Sequence, residues 1–450
     1  MRIGLPALFP RPLLAALVGG ALLVGVQQQI LERRPPRLLS LEPQVHSSGP
    51  AALDLRFSRP MERASLQARS RLEPPLAHRW LGSATNLRLL LQPGQQLRGP
   101  LSLELAGADR RGRSLAPQRW HWDPRPLLLV VAEVEGGEQL QIQHHDGRWQ
   151  PIGPVWRRIP NVEPLADGSG VMALAADHQG KLQLWKRSLR PRSLVRQPAN
   201  LAPPQLGPLQ ALQPNDLTFA HLSSNRRGDL LIQLGRQAPG ATVTRWIEPD
   251  GRQHDLKLPV AGPIQLLPQG EGMVVPTPDG LELRSLRGAL AGTTDRPQVL
   301  PGSRMLAAFC PASGQALLVR HWPDFRRSLE RVQPGSAPIR LWLGSEAVMA
   351  ASCNPNGDRA WMLLNRWQAA VANELVRLDR SGRIDARLDL GPWEPEPGMP
   401  MVYDPVGDQL LLTLRRDPRQ PARPALVDGR TMALRILPKP VRQALWLPGS

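Results

Sequence analysis

Short apolar runs that follow tight turns recur along this chain. Six times between residues 165 and 414, a turn rich in Gly, Asn, Asp and Pro precedes such a run, as in NPNG (354–357) before AWMLL (360–364). The turn glycines are 42–58 residues apart, at Gly170, Gly228, Gly272, Gly314, Gly357 and Gly407. A second turn follows in five repeats, at Gly251, Gly288, Gly335, Gly382 and Gly429. Each repeat therefore predicts four short antiparallel strands joined by hairpin turns.

Repeats of this length and strand content are typical of the blades of a β-propeller. Residues 127–134 and 138–152 supply three strands before the first full repeat, and residues 441–448 supply one strand after the last. If that last strand completes the first blade, residues 126–450 form seven blades whose ends close the ring and leave no free edge. Six or eight blades are the alternatives. The pattern resembles TolB-like and WD-repeat-like propellers, although no WD or GH signature recurs.

A different pattern precedes the repeats. Residues 42–123 contain alternating apolar and polar runs separated by Gly and Pro, at 52–57, 86–91, 101–105 and 118–122. Alternation with a period of two predicts a small antiparallel β-sandwich, which follows a Pro-rich linker at residues 32–41. The expected fold class is therefore all-β.

Within this predicted sandwich, the sequence FSRPME at 57–62, followed by Ser65-Leu66, resembles the opening motif of bacterial Ig-like domains of the SbsA surface-layer type. The resemblance continues through Trp80 and covers about 80 residues. It implies a spacer or docking module outside the cytoplasm, and it brings no catalytic residues. We expect Trp80 to fill the core of the sandwich and Met61 to plug its edge.

The amino terminus has the composition of an export signal. Arg2 and Arg11 precede an apolar run at residues 12–26, and the whole of residues 1–31 is interpreted as an uncleaved signal anchor that enters the membrane through residues 12–31. The apolar core is shorter than the roughly 20 residues that span a bilayer. We expect a single-pass protein of the bacterial inner membrane with its bulk in the periplasm; secretion after signal cleavage is the alternative.

Charge and cysteine content add little to this picture. The chain carries 56 basic and 38 acidic residues, a formal net charge of +18, and nearly all the basic residues are arginines spread along its length. An anionic partner would explain such a composition, and so would a GC-rich genome that encodes Arg in place of Lys. Export from the cytoplasm argues against nucleic acid as the partner. Cys310 and Cys353 occupy equivalent positions in successive repeats; we expect them to be too far apart for a disulfide, and a bond between them is the alternative.

No motif in the sequence predicts an enzyme. GxSxG, HExxH and P-loop patterns are absent, and no cofactor or metal is expected. His144-His145-Asp146 falls at a hairpin turn, where alternation sends the two imidazoles to opposite faces. Asp229, Asp358 and Asp408 each follow a turn glycine, so we expect them to make structural hydrogen bonds within their blades.

Long loops in the last three blades are the candidate binding surface. They span 321–328, 365–373 and 415–424 and should share a face with the connection at 155–160. Aromatic and arginine side chains are enriched where proteins bind partners. The expected binding residues are Trp156, Arg157, Arg158, Trp322, Phe325, Arg326, Arg327, Trp367, Arg415 and Arg416.

The hypothesis drawn from the sequence is a non-catalytic, membrane-anchored scaffold that presents a propeller to an envelope partner, either a protein or an anionic polymer. The alternative is a propeller enzyme, a hydrolase or lyase acting on glycans or peptides, with its site in the central channel.

Overall fold

The computed structural model of the protein describes residues 19–22, 34–44, 51–190, 194–212, 217–236, 242–258, 261–291, 298–367 and 371–449. Strands dominate this part of the chain, so the all-β prediction is confirmed. Its helices beyond residue 22 are short: α1 (Arg63–Arg69), α2 (Leu286–Ala291) and a 3-10 turn at Pro198–Asn200.

The first structural unit is a β-sandwich of two antiparallel sheets. One sheet has the order β1-β2-β5-β4, with β1 (Leu38–Gln44), β2 (Ala52–Phe57), β4 (His78–Ser83) and β5 (Asn86–Leu91). The other has the order β3-β6-β7, with β3 (Arg71–Glu73), β6 (Leu101–Ala108) and β7 (Ser114–Trp122). Strand β1 begins inside the segment expected as linker, because residues 38–44 pair with β2.

The core of the sandwich is formed by the inward positions of both sheets. Leu53 and Leu89 of the first sheet and Leu103 of the second are fully buried in one cluster, as alternation with a period of two requires. Trp80 belongs to the same cluster, as predicted, and Met61 belongs to it as well.

The rest of the chain, in the part that the structure describes, forms seven successive antiparallel units. Their strands are β8 (Leu127–Val134), β9 (Gly137–Gln143) and β10 (Trp149–Trp156) in unit 1; β11 (Arg158–Pro164), β12 (Gly170–Ala176), β13 (Leu182–Arg190) and β14 (Gln205–Ala211) in unit 2; β15 (Leu217–Ser224), β16 (Leu230–Arg236), β17 (Thr242–Ile247) and β18 (Gln253–Leu256) in unit 3; and β19 (Gln265–Leu266), β20 (Gly272–Thr277), β21 (Gly280–Ser285) and β22 (Gln298–Pro301) in unit 4.

The remaining units continue the pattern. Their strands are β23 (Arg304–Cys310), β24 (Gln315–His321), β25 (Arg327–Val332) and β26 (Ile339–Gly344) in unit 5; β27 (Ala347–Cys353), β28 (Arg359–Trp367), β29 (Val371–Asp379) and β30 (Ile384–Asp389) in unit 6; and β31 (Glu394–Pro395), β32 (Val402–Asp404), β33 (Gln409–Arg415), β34 (Arg423–Asp428) and β35 (Leu434–Ile436) in unit 7. Helix α2 contains Gly288, where a hairpin turn was expected.

The last strand closes the ring. Strand β36 (Val441–Leu447) pairs antiparallel with β8 and completes unit 1, giving the order β10-β9-β8-β36. This shared unit is the arrangement that the terminal strands predicted. The closed ring of seven antiparallel units is a β-propeller.

The apolar runs are explained by how neighbouring blades pack. In β8, Leu129 and Val131 are buried against unit 2, whereas the alternating Leu128 and Val130 are buried against unit 7. Both faces of a blade are covered in this way, so the second strand of a blade is a continuous apolar run rather than an alternating one.

Six of the seven blade boundaries in the described part of the chain contain a buried apolar cluster. The boundary between units 4 and 5 contains instead an open apolar cavity of about 300 Å³, with Leu283, Leu306 and Ala316 on its wall. This boundary is therefore the least well filled.

The expectation for the cysteines is wrong. Cys310 and Cys353 form a disulfide, with their Cα atoms 5.7 Å apart. They end β23 and β27, the first strands of units 5 and 6, and these strands contact each other. First strands lie nearest the propeller axis, where blades converge, so equivalent positions come within bonding distance there.

The sandwich is joined to the propeller by backbone pairing and by packing. The Leu97 amide donates to the Val406 carbonyl at 2.9 Å, and His121 and Val195 form an isolated bridge. The Val406 side chain lies in the sandwich core together with Trp122. Residues 121–123 therefore pack at the junction between the sandwich and the propeller.

Most of the predicted anchor, residues 1–31, lies outside the described residues. Residues 19–22 are helical. Among the described residues, we find no helix with the length and apolar character needed to cross a membrane.

Candidate functional site

The loop between β24 and β25 presents an exposed aromatic ring on a constrained backbone. The Trp322 amide donates to the Arg326 carbonyl at 3.0 Å, and the Phe325 amide donates to the Trp322 carbonyl at 3.1 Å. Phe325 has a φ of 64° and is 89% exposed. A bulky residue is rare in this left-handed region, and an exposed phenyl ring gains no burial in return. In the free protein, neither the backbone conformation of Phe325 nor the exposure of its ring therefore adds to stability.

The base of this loop is held by the neighbouring indole. The Arg320 guanidinium lies 3.6 Å from the centroid of the Trp322 ring, and the Trp322 Nε1 donates to the Oγ of buried Ser328 at 2.9 Å. A stacked cation and a buried hydrogen bond fix this indole, so the adjacent Phe325 projects from a rigid support.

A cleft of about 540 Å³ lies beside the loop, between units 5 and 6. We call it the loop cleft. Its walls are His321, Trp322, Phe325, Arg326, Arg327, Ser345, Glu346, Ala347, Asn365 and Arg366. Four of the predicted binding residues thus meet here. Glu346 and Arg366 were missed, although Arg366 falls within a loop that the sequence singled out.

One cation of the loop cleft is not neutralised. Arg326 pairs with Asp324 at 2.7 Å, and Arg366 pairs with Glu374 at 2.6 Å. Among the described residues, no carboxylate lies within ion-pair distance of the Arg327 guanidinium. Burial, together with the charge of Arg327, lowers the pKa of His321, so this imidazole is neutral near pH 7.

The other predicted binding residues lie elsewhere. Trp156 is only 5% exposed and packs against Trp185 in the core between units 1 and 2, so it cannot contact a partner. The neighbouring Arg157 and Arg158 do not line the loop cleft. The backbone of Trp367 ends β28, and its side chain lies outside the described residues.

The arginines of the last blade are also separate from the loop cleft. Arg415 pairs with Glu396 at 3.4 Å, and Arg416 is exposed beyond the end of β33. Of the predicted binding residues, Trp322, Phe325, Arg326 and Arg327 line the loop cleft, and a wider shared face stays a prediction.

The recurring aspartates have the structural role predicted for them. The Asn225 Nδ2 donates to Asp229 at 2.9 Å, and the Trp246 indole donates to the same carboxylate at 3.1 Å. Asn354 donates to Asp358 in the same way. These carboxylates accept hydrogen bonds within their own blades.

Asp408 in addition links two blades. It accepts hydrogen bonds from the Tyr403 hydroxyl at 2.7 Å and from Arg359 of unit 6 at 3.3 Å. Such an arrangement holds the first turn of unit 7 against the neighbouring blade.

The two histidines of the first hairpin lie apart from any cluster of metal ligands in the described residues. The His145 Nε2 is 3.5 Å from the Asp123 carboxylate, at the junction with the sandwich, whereas Asp146 pairs with Arg148. The hairpin thus contributes to packing and to the surface rather than to one common site.

Comparison with known proteins finds only distant structural similarity. No family model and no curated protein matches the chain. Similar solved structures include the protein lmo1340 from Listeria monocytogenes (13% identity, 70% of this chain and 95% of that one, TM-score 0.46) and TolB from Acinetobacter baumannii (11%, 79% and 81%, 0.40). Oligogalacturonate lyase from Vibrio parahaemolyticus is another (9%, 66% and 90%, 0.45). TolB and the lyase are both β-propeller proteins. At these levels of similarity, no activity can be transferred.

Proposed function

We propose that this chain is an extracytoplasmic interaction protein whose propeller binds an envelope protein through the loop cleft. The observation that carries the proposal is Phe325, a phenyl ring that is 89% exposed on a backbone with positive φ. Local strain and apolar exposure both cost stability, and a partner that covers the ring offsets both.

The composition of the loop cleft favours a protein as the partner. Aromatic and arginine side chains dominate the energetic centres of protein interfaces. Phe325 offers an apolar anchor, and Arg327 offers an unneutralised charge for an acidic group. The mixture of acidic and basic side chains on the walls suits a protein surface better than a uniformly anionic polymer.

The disulfide supports the proposed compartment. Disulfides persist in oxidising environments such as the periplasm and are rare in the cytosol. Cys310 and Cys353 are buried and bonded to each other. Within the proposal, residues 12–31 anchor the chain in the inner membrane, with secretion after cleavage as the alternative.

The sandwich would act as a spacer between that anchor and the propeller. Two facing antiparallel sheets, with Trp80 in the core, suit the Ig-like domain of SbsA type that the FSRPME motif resembles. Its contacts with the turn at 404–407 would hold the propeller in a defined orientation.

The test is photocrosslinking in living cells. The photoreactive residue p-benzoylphenylalanine is incorporated at position 325 or, as a control, at Phe219, which is 37% exposed on unit 3. We expect an envelope protein to be captured from position 325 and not from position 219. Phe325→Ala and Arg327→Gln should each weaken binding of that captured protein, once purified, by about tenfold or more.

Several outcomes would contradict the proposal. Equal capture from positions 325 and 219 would show that the loop cleft is not the interface. Capture of an anionic polymer alone would replace the protein partner. Hydrolysis or elimination detected with glycan or peptide substrates would favour the enzyme hypothesis.

A further inference from the structure

A second cavity lies where the sandwich meets the propeller. It has a volume of about 220 Å³, and we call it the joint cavity. The sandwich contributes Gln44, Ala51 and Trp122 to its wall. The propeller contributes residues of units 1, 2, 3 and 7: Trp446, Pro448, Ala166, Arg226, Val402, Tyr403, Asp404, Pro405 and Val406. The joint cavity therefore lies between the sandwich and four consecutive blades of the ring, units 7, 1, 2 and 3.

Three residues on this wall carry buried hydrogen-bond donors without partners among the described residues. These donors are the Nη1 of Arg226, the Nε1 of Trp122 and the Nε1 of Trp446. A buried donor without an acceptor typically costs about 1–3 kcal/mol. Three such donors around one cavity point to a ligand that supplies acceptors.

Arg226 is also a cation without a counter-ion. The structure shows no ion pair or side-chain hydrogen bond for it within the described part of the chain, and burial lowers its pKa. The Arg226 side chain is partly buried, with its Nη1 fully buried, whereas the adjacent Arg227 is exposed and pairs with Glu271 at 3.0 Å. Removing a charge from water without pairing it costs free energy. An anion that pairs with Arg226 would offset a large part of the desolvation cost of its guanidinium.

The acidic residue of the wall is already satisfied. Asp404 accepts hydrogen bonds from the amides of Val406 at 2.8 Å and Gly407 at 2.9 Å, and from the Gln409 side chain at 3.2 Å. Similarly, the Tyr403 hydroxyl donates to Asp408. Neither Asp404 nor Tyr403 therefore serves as a counter-ion for Arg226. Both residues only line the cavity.

We propose that the joint cavity binds a monoanionic carboxylate that carries an apolar body. A guanidinium pairs with a carboxylate through two parallel hydrogen bonds, and the indole donors add to this preference for an anion. A phosphate dianion fits less well, because the wall carries one cation and also the carboxyl of Asp404. The prolines, tryptophans and valines that make up most of the wall suit an apolar body.

The position of the site gives the ligand a second effect. The wall combines Trp122 of the sandwich with Arg226 of the propeller, so a bound carboxylate contacts both units at once. A ligand that binds only the docked arrangement stabilises it, by an amount that grows with ligand concentration. This site is separate from the loop cleft and does not depend on the function proposed for it.

The experiment uses small probes with matched shape. Benzoate, neutral benzamide and inorganic phosphate are titrated into the full-length protein by calorimetry, with tryptophan fluorescence as a second signal because Trp122 and Trp446 line the cavity. We expect saturable binding of benzoate at one site, and binding of benzamide and phosphate that is at least about tenfold weaker. A bidentate charge-assisted pair is strong enough to produce such a ratio.

The variants are Arg226→Gln and, as the matched control, Arg227→Gln. We expect Arg226→Gln to weaken benzoate binding by about tenfold or more. The melting temperature should not fall, since the substitution removes an unpaired, partly buried charge. Arg227→Gln should bind benzoate like the wild type. Tighter binding of phosphate, equal binding of benzamide, unchanged binding in Arg226→Gln, or no binding of benzoate would each overturn the proposal. A melting temperature that falls in Arg226→Gln, with no effect of benzoate on either protein, would show that Arg226 serves the fold alone.

Discussion

The disulfide between units 5 and 6 should contribute measurably to the stability of the propeller. Cys310 and Cys353 are separated by 43 residues in the chain and join the first strands of two adjacent blades. In the chain-entropy treatment, closing a loop of this length removes unfolded-state entropy worth about 4 kcal/mol at 25 °C. We therefore expect the double variant Cys310→Ala, Cys353→Ala to lose about 4 kcal/mol in its free energy of unfolding.

Alanine is the appropriate replacement, because both sulfurs are buried in an apolar cluster and a serine hydroxyl would lack a partner there. The measurement is urea unfolding, followed by tryptophan fluorescence, of the wild type with and without dithiothreitol. Dithiothreitol should leave the free energy of unfolding of the double variant unchanged. This controls for effects of the reductant other than reduction of the disulfide.

The reasoning would be refuted if the reduced wild type and the double variant lost less than about 1 kcal/mol. It would also be refuted if thiol titration of the unfolded, unreduced protein found two free thiols in each chain. Either result would mean that the first strands of the two blades do not hold these residues at bonding distance.

Three further predictions concern the propeller itself. Burial raises the pKa of Asp404 from 3.8 to about 6, so the contribution of this carboxyl to the free energy of unfolding falls by up to about 3 kcal/mol as the pH rises from about 4 to 6. In urea titrations compared across pH, the wild type should lose this stability relative to Asp404→Asn, and parallel curves would disprove the prediction. Ala316→Leu fills the cavity between units 4 and 5 and should raise the free energy of unfolding by about 1 kcal/mol. A lower free energy of unfolding would show that the cavity wall is already close-packed. Gly137 has a φ of 148°, and a Cβ there would meet the Trp156 carbonyl. Gly137→Ala should therefore lower the free energy of unfolding by about 1–3 kcal/mol in thermal unfolding. An unchanged melting temperature would contradict this.

Local patterns were sufficient to predict the repeating architecture. The turns and apolar runs at 354–364 and 404–414 indicated blades, and the leftover strand at 441–448 indicated ring closure before any pairing was known. These inferences succeed because hairpins depend on near neighbours in the chain. The aspartates after the turns were likewise assigned correctly, since their partners lie within a few residues or within the same blade.

Tertiary structure decided everything that depends on distances between blades. Spacing along the chain cannot show that Cys310 and Cys353 meet, because their approach follows from the convergence of first strands at the propeller axis. The same limit applies to Trp156, which any local pattern places beside arginines but which packs between two blades. The joint cavity shows it most clearly, because the wall around Arg226 is built from the sandwich and from four different blades. Local patterns along the chain specify the blades and the closure of their ring, because strands and turns are set by local geometry. The packing of blades and sandwich determined the sites, because a site is built from residues that are distant in the chain.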